Sequence, residues 1–443
     1  MASRLSRLAS IGSTAVGVGA SYLGQRVAGA FQGEEARKDG LARAHKQNAE
    51  RIVANLGQLK GAAMKVGQTV AMFASNLDMP EEARAALGKL NDRAEPIPFP
   101  KIKARVEAEL NGGLDTLFGS FEAAPLGTAS LGQAHAATLP DGTPVVVKVL
   151  HEGVEGSVSS DLSALKTMMV TGRVLNRDKE ELDAIFAEVE ARLLEELDYT
   201  VEATNLEEFK RYYGNDPDVV TPGVHRGWST SKVLTMERLV GRPLGVFAAT
   251  GSEAARARAS NTVARVFMEM EYVHRAVHAD PHPGNYLFTP EGKVGILDFG
   301  CVRRYDTTWM ADYGHVGWHS MRDEREPAMA YAHRIGALEK RDTAAEDVLW
   351  EVCRIISTPF TGGPVQLGSA RDGVQERLTA LKLKVMQQGI IRAPRELVYL
   401  HRGLGGTYSI LRQLKGSVDF GALFFENTAI CFEDAARLGW REA

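Results

Sequence analysis

The chain has 443 residues, 44% hydrophobic and 24% charged, a globular composition on a length that exceeds one ordinary core, so two or three modules are expected. A net charge of −4 and a pI near 6.3 exclude a nucleic-acid binder that relies on an overall basic excess to neutralise phosphates. The three cysteines, Cys301, Cys353 and Cys431, are scattered, which excludes a cysteine metal cluster and suits a reducing compartment.

Residues 1–33 read as a leader. Ala9 to Gly24 is uncharged but too short and too weakly apolar for a membrane span, and no cleavage site follows an apolar core. Arg4 and Arg7 precede it, so a helix on a membrane surface and an exposed leader are both open. Residues 34–100 read as a helical extension, with Leu56, Leu59, Ala63, Val66 and Val70 drawing an apolar stripe at helical spacing. Gly67 inside that stripe costs about 1 kcal/mol relative to Ala, which points to close approach by another element. Lys65 and Gln68 share a face; on the residues alone they are an ordinary solvated pair. Glu95-Pro-Ile-Pro-Phe-Pro100 closes the module as a proline linker.

A helix is expected from Lys101 to Leu110, then a small-residue loop between two strands, Ala124-Pro-Leu-Gly127-Thr128-Ala129-Ser130-Leu-Gly132-Gln-Ala-His135. Small residues let backbone amides approach phosphates. Asp141-Gly142 signals a hairpin turn, and Pro144-Val-Val-Val-Lys148-Val-Leu150 a strand. A lysine in such a strand is costly unless paired; holding nucleotide phosphates beside a helix carboxylate is the chemistry that employs it. One long helix from about Glu180 to Tyr213 carries Glu195-Glu196-Leu-Asp198-Tyr-Thr-Val-Glu202, a charge-rich surface from which one acid is a candidate partner. Strands from Val219 to His225 and Lys232 to Thr235 follow. Met236-Glu237 then leads toward Leu239-Val-Gly-Arg-Pro-Leu244, where a kinase-like fold places the hinge bordering adenine, so Glu237 is a candidate nucleotide contact.

His278-Ala-Asp-Pro-His-Pro-Gly-Asn-Tyr-Leu-Phe288 and Gly295-Ile-Leu-Asp-Phe-Gly300 carry the most specific signal. An Asp, an Asn five residues on, a hairpin turning at Pro290-Glu-Gly292, and Asp-Phe-Gly form the order catalytic loop, hairpin, metal loop. Kinase-type phosphoryl transfer needs one carboxylate near the acceptor and an Asn and a D-F-G Asp on Mg²⁺. Asp280 fits the first role, and Asn285 and Asp298 the metal. Zinc binding by His274, His278 and His282 at helical spacing is disfavoured, because Pro281 and Pro283 break any helix. From Asp306 onward the chain reads as helical, without recognisable chemistry and without an A-P-E segment. Phe420 to Phe432 is apolar but interrupted by Glu426 and Asn427.

Lys65-Val-Gly67-Gln68, Ala129-Ser130-Leu-Gly132-Gln133, Lys148, Glu196-Leu-Asp198, the H-A-D-P-H-P-G-N run and D-F-G together resemble the UbiB/ADCK family of atypical kinases, from about Leu56 to Tyr305. The resemblance implies an α+β, two-lobed protein-kinase-like fold with the N-terminal helical extension packed over the active site, residues 101–237 forming one lobe and 238–443 the helical other. It implies Glu202 as the partner of Lys148, Lys65 and Gln68 over the acids Glu196 and Asp198, and a nucleotide loop at Gly127, Thr128, Ala129 and Ser130. The family commonly runs three alanines before the serine; Gly127-Thr128-Ala129 here implies a looser loop. The implied cofactors are ATP or ADP and Mg²⁺. The implied activity is an atypical kinase or ATPase supporting isoprenoid-quinone (ubiquinone) biosynthesis, cytoplasmic and peripheral at the inner face of a membrane. Implied partners are quinone-biosynthesis enzymes, isoprenoid lipids and a membrane surface, with no nucleic acid. A small-molecule or lipid phosphotransferase and a nucleotide-gated lipid-binding scaffold without turnover are the alternatives.

Overall fold

The computed structural model describes residues 96–442 except 130, 155, 157, 172–178, 339–342, 370–372, 375, 379 and 382–393. Before these it describes positions 17, 20, 21, 40, 43, 44, 47, 48, 65–67, 69 and 70. Gln68, Ser130, most of the leader and most of the apolar stripe lie outside the described residues. Within the stripe, Val66 and Val70 are helical and fully buried. The chain divides into two compact units, residues 1–203 with 224–238, and residues 204–223 with 239–443.

The first unit is built on the antiparallel sheet β1-β2-β3-β5: β1 Ser120–Thr128, β2 Gly132–Thr138, β3 Pro144–Leu150 and β5 Val233–Glu237. The β2–β3 hairpin turns at Asp141-Gly142. Gly142 takes φ +87°, a conformation glycine adopts without strain, and Asp141 Oδ1 accepts the Thr143 N–H at 2.9 Å. In β3 the alternation of strand side chains buries Val145, Val147 and Val149 on one face, where they pack with Ile102, Val106 and Phe118. Each such valine contributes about 1.5–3 kcal/mol of burial. Lys148 therefore falls on the opposite face. The helix α1 spans Phe99–Leu110, two residues earlier than expected: Pro98 precedes it and Pro100 sits in its first turn, where a missing N–H costs nothing. The linker prolines thus start this helix. A one-turn helix α2, Leu114–Leu117, leads into β1.

The loop between β1 and β2 is shorter than the small-residue run suggests. Gly127 and Thr128 end β1, paired with Ala134 and Gln133, and Gly132 to His135 belong to β2. The single helix expected from Glu180 to Tyr213 is two: after α3 (Val158–Thr171) come α4 (Lys179–Glu196) and α5 (Tyr199–Tyr213). The break has a local cause. Asp198 turns its carboxylate onto the N–H and hydroxyl of Thr200, at 2.9 and 2.7 Å, a capping contact that competes with helix continuation. The Tyr199 N–H then donates to Ser231 O at 3.0 Å.

In the second unit, β4 (Val219–Val220) lies parallel to β9 (Val294–Ile296), and the sheet order is β4-β9-β8-β6, with β6 Arg242–Pro243 and β8 Tyr286–Phe288. The expected strand through His225 thus ends at Val220, and the expected strand from Lys232 begins at Val233 and runs on to Glu237. β7 (Ala276–His278) pairs with β10 (Val302–Arg304). The helices are α6 Leu244–Thr250, α7 Glu253–Met268, α8 Thr307–Met321, α9 Arg325–Arg334, α10 Thr343–Ser357, α11 Arg395–Leu414 and α12 Phe420–Arg437, with a π-turn at Glu269–Val273 after α7. A two-residue pair, β11 (Val365–Gln366) with β12 (Ser417–Val418), interrupts the otherwise helical C-terminal part. Phe267, Val277, Met310, Leu400, Phe424 and Cys431 share one core.

His315 on α8 is stacked among Phe432, Tyr331 and Trp440 at centroid distances of 4.0, 4.6 and 4.9 Å. Burial, and then the charges of His319 and Arg334, push its pKa down to about 4. A histidine depressed in the folded state gives stability that is complete above the unfolded value of 6.5 and is lost as pH falls toward 4. His315→Phe is therefore expected to melt higher relative to the wild type as pH is lowered from 6.5 to 4; thermal melts across that window check it.

Candidate nucleotide and catalytic site

In the first unit, Lys148 Nζ reaches Glu202 Oε1 at 2.5 Å, with side chains 17% and 5% exposed. Glu202 stands in the first turn of α5, so the break at Leu197-Asp198 decides where this carboxylate points. The break is anchored: Lys232 Nζ donates to Leu197 O at 2.8 Å. Gly132 has no room for a side chain, since a Cβ there would lie 2.7 Å from the Tyr199 hydroxyl and 2.8 Å from Val149 O. The missing side chain lets Tyr199 close over β2, and Lys148 lies 5.6 Å from its ring centroid. Immediately before the break, at the last residue of α4, Lys65 Nζ meets Glu196 Oε2 at 2.7 Å. Of the two acids in Glu196-Leu-Asp198, the lysine therefore meets the first, while the second caps α5.

The Ala129 N–H donates to Gly132 O at 2.8 Å, so this amide closes the β1–β2 turn. Gly127 stands in open space; nothing in its surroundings requires a glycine. Glu237 is the last residue of β5, opposite Val145, and half-buried.

In the second unit, the β8–β9 hairpin joins the two metal-loop candidates. It turns at Pro290-Glu-Gly292 with Gly292 at φ +88° and the Thr289 N–H on Lys293 O at 3.0 Å. Its register sets Tyr286 against Ile296, and the Leu297 N–H donates to Asn285 O at 2.8 Å. Asn285 and Asp298 thus stand at the same end of one hairpin. Asp298 Oδ1 accepts the Gly300 N–H at 2.9 Å. Phe299 is fully buried, stacked on Phe209 at 4.1 Å, and its carbonyl accepts from Asn205 at 2.8 Å.

His278 ties the two loops together. Its Nε2 donates to Asp298 O at 2.7 Å and its Nδ1 accepts the Asp280 N–H at 3.3 Å, which requires the neutral ring; burial holds its pKa below the ordinary histidine value. The Asp280 carbonyl accepts the His282 N–H at 2.7 Å and Asn285 Nδ2 at 3.3 Å. His274 closes the π-turn and stacks on Tyr212 at 3.9 Å, so the three histidines lie in three different segments rather than on a helical face.

The donor set suits Mg²⁺ better than a metal held by protein alone. Among the described residues no group of three His, Cys, Asp or Glu side chains is placed to hold a metal. Magnesium needs only one or two carboxylates with water and substrate phosphates, and Asn285 and Asp298 offer oxygen ligands of that kind.

Sequence reasoning missed Arg402. On α11 its Nη2 donates to Asp280 Oδ1 at 2.7 Å, across 122 positions of sequence. A signal was available in Arg402-Gly403-Leu-Gly405-Gly406: glycines inside a helix are costly and mark close approach. A Cβ on Gly406 would lie 2.6 Å from the Pro281 ring, and one on Gly403 would lie 3.2 Å from His278 O.

Comparison with known proteins gives a consistent picture. The profile described as the ABC1 atypical kinase-like domain matches residues 89–331, more than half of the chain. The chain is similar to the mitochondrial atypical kinase COQ8 of Saccharomyces cerevisiae, 26% identical over 427 residues, covering 96% of this chain and 84% of that protein. It is similar to the mitochondrial atypical kinase COQ8B of Rattus norvegicus, 28% identical over 432 residues, covering 96% of this chain and 80% of that protein. Among solved structures, the complex of Rv3197 with erythromycin from Mycobacterium tuberculosis superposes with a TM-score of 0.62 at 25% identity, covering 88% of this chain and 98% of that one. Among the described residues no helix is long and apolar enough to cross a membrane.

Proposed function

The chain belongs to the ABC1 atypical kinase-like family, and on that premise we propose that it is an ATP- and Mg²⁺-dependent atypical kinase or ATPase that supports isoprenoid-quinone biosynthesis from the surface of a membrane. The observation that carries the reading is the Lys148–Glu202 pair. A lysine on a β-branched strand, held by a buried helix carboxylate, is the arrangement kinase-type sites use to hold nucleotide phosphates. In this reading Asn285 and Asp298 hold Mg²⁺, which when bound would neutralise charge on the phosphates.

Asp280 accepts the proton of the attacking hydroxyl or water. His278 fixes the Asp280 and Asp298 backbones, and so the spacing between base and metal ligand. Gly127, Thr128, Ala129, Ser130 and Glu237 line the nucleotide. Residues 34–100, through Lys65 and Gln68, cover the acids Glu196 and Asp198 and keep water and large acceptors out, and residues 1–33 meet the membrane. The names of the similar mitochondrial proteins and the family resemblance support the quinone assignment.

Phosphate release from ATP by the purified protein, with Mg²⁺ and with or without anionic vesicles, tests the reading. Mg²⁺-dependent turnover that vesicles raise is the expected result. Turnover that appears only when a hydroxyl compound is supplied would replace it with a small-molecule or lipid phosphotransferase. Nucleotide binding with no turnover under any of these conditions would replace it with a scaffold.

A further inference from the structure

The catalytic-loop segment from His278 to Phe288 contains two prolines, two histidines and no lysine or arginine. Its acid nevertheless has a cationic partner, delivered from a distant helix. Arg402 Nη2 lies 2.7 Å from Asp280 Oδ1, with both side chains about one-third exposed, 35% and 34%. The contact is built into the packing. Gly403 and Gly406 on the same stretch of α11 bring the helix backbone onto His278 and Pro281; a side chain at Gly406 would collide with Pro281, and one at Gly403 would crowd the His278 carbonyl. The opposite face of α11, with Leu404, Tyr408 and Leu411, lines a separate apolar cavity of about 990 Å³. One face of the helix thus serves as a platform for the loop that carries Asp280.

We propose that Arg402 is the positioning residue of the proposed phosphoryl-transfer site: it orients the Asp280 carboxylate so that Oδ2 faces the hydroxyl to be deprotonated. The inference rests on the reading of Asp280 as the catalytic-loop acid. The His278 ring, the His282 N–H and the Asn285 side chain fix the main chain of Asp280 but leave its side chain free to rotate about its last bond. The guanidinium removes that freedom by holding one oxygen. No other hydrogen bond to the Asp280 carboxylate occurs among the described residues. Partial exposure makes the pair a weak contributor to stability, so its consequence is expected in the rate and not in folding. Misplacement of a reacting group by a fraction of its productive geometry is enough to slow a reaction by orders of magnitude.

Four proteins decide it: wild type, Asp280→Asn, Arg402→Gln and the double variant, each assayed for ATP turnover, for ATP affinity by calorimetry and for melting temperature. Arg402→Gln is expected to lower kcat by about 10–100-fold while KM and ATP affinity stay within about twofold, the pattern of an interaction made in the transition state. The double variant should be no slower than Asp280→Asn alone, because the arginine acts through the carboxylate. Added guanidinium ion should restore part of the kcat of Arg402→Gln and none of that of Asp280→Asn. Full activity in Arg402→Gln beside an inactive Asp280→Asn overturns the inference and leaves the site intact. Loss of activity in Arg402→Gln that follows a lowered melting temperature, without guanidinium rescue, overturns it too and makes the contact structural. Full activity in Asp280→Asn overturns the underlying reading and this inference with it.

Discussion

Asp298→Asn is expected to abolish Mg²⁺-dependent ATP turnover while leaving the melting temperature of the metal-free protein unchanged. The asparagine keeps an oxygen that can accept the Gly300 N–H, now at 2.9 Å. The bond from His278 goes to the backbone carbonyl of residue 298, which the substitution does not touch. What is lost is the charge at the proposed metal position. Removal of groups one shell further out from a metal already weakens binding 10–100-fold in other proteins, so an affinity loss of at least about 100-fold is expected here. Titration of nucleotide with Mg²⁺, followed by calorimetry, separates the outcomes: unchanged Mg²⁺ dependence in the variant would remove Asp298 from the metal site.

The second large effect is expected at Lys148 and Glu202. Glu202→Ala leaves a lysine only 17% exposed without its carboxylate. Breaking a buried pair from one side typically costs about 3–5 kcal/mol, because the remaining charge loses a close counter-charge in a poorly solvated setting. A marked fall in melting temperature should therefore accompany the loss of nucleotide affinity. Replacing both residues, Lys148→Met with Glu202→Gln, removes both charges and should recover most of the stability and none of the affinity. Recovery of both would mean that the pair holds the fold together and takes no part in nucleotide binding.

How far the sequence could be read depended on the range of the interaction concerned. The β2–β3 and β8–β9 hairpins were legible at Asp141-Gly142 and Pro290-Glu-Gly292 because turn chemistry is local. β3 was legible because its β-branched run allows little else. The interruption between α4 and α5 was hidden, because every residue from Glu180 to Tyr213 tolerates a helix and the anchors are distant, Ser231 and Lys232. The residue order alone showed candidates Asp280, Asn285 and Asp298. It could not show that Arg402 meets Asp280 from 122 positions away, or that Asn205 meets the Phe299 carbonyl from 94. Helical spacing alone made Lys65 an ordinary surface lysine; only the family resemblance pointed it at the acids Glu196 and Asp198, the first of which it meets.

The outer strand of the first sheet has a bearing on self-association. Among the described residues β1 pairs with β2 alone, and an outer strand of that kind offers backbone groups on which neighbouring molecules can build further strands. Two register shifts, between Phe121 and Pro125 and between Pro125 and Gly127, interrupt it, and Pro125 itself has no N–H to give. An incoming chain would find no straight run of donors and acceptors to copy. The strand that ends at Gly127-Thr128 is thereby a poor template for the addition of further strands.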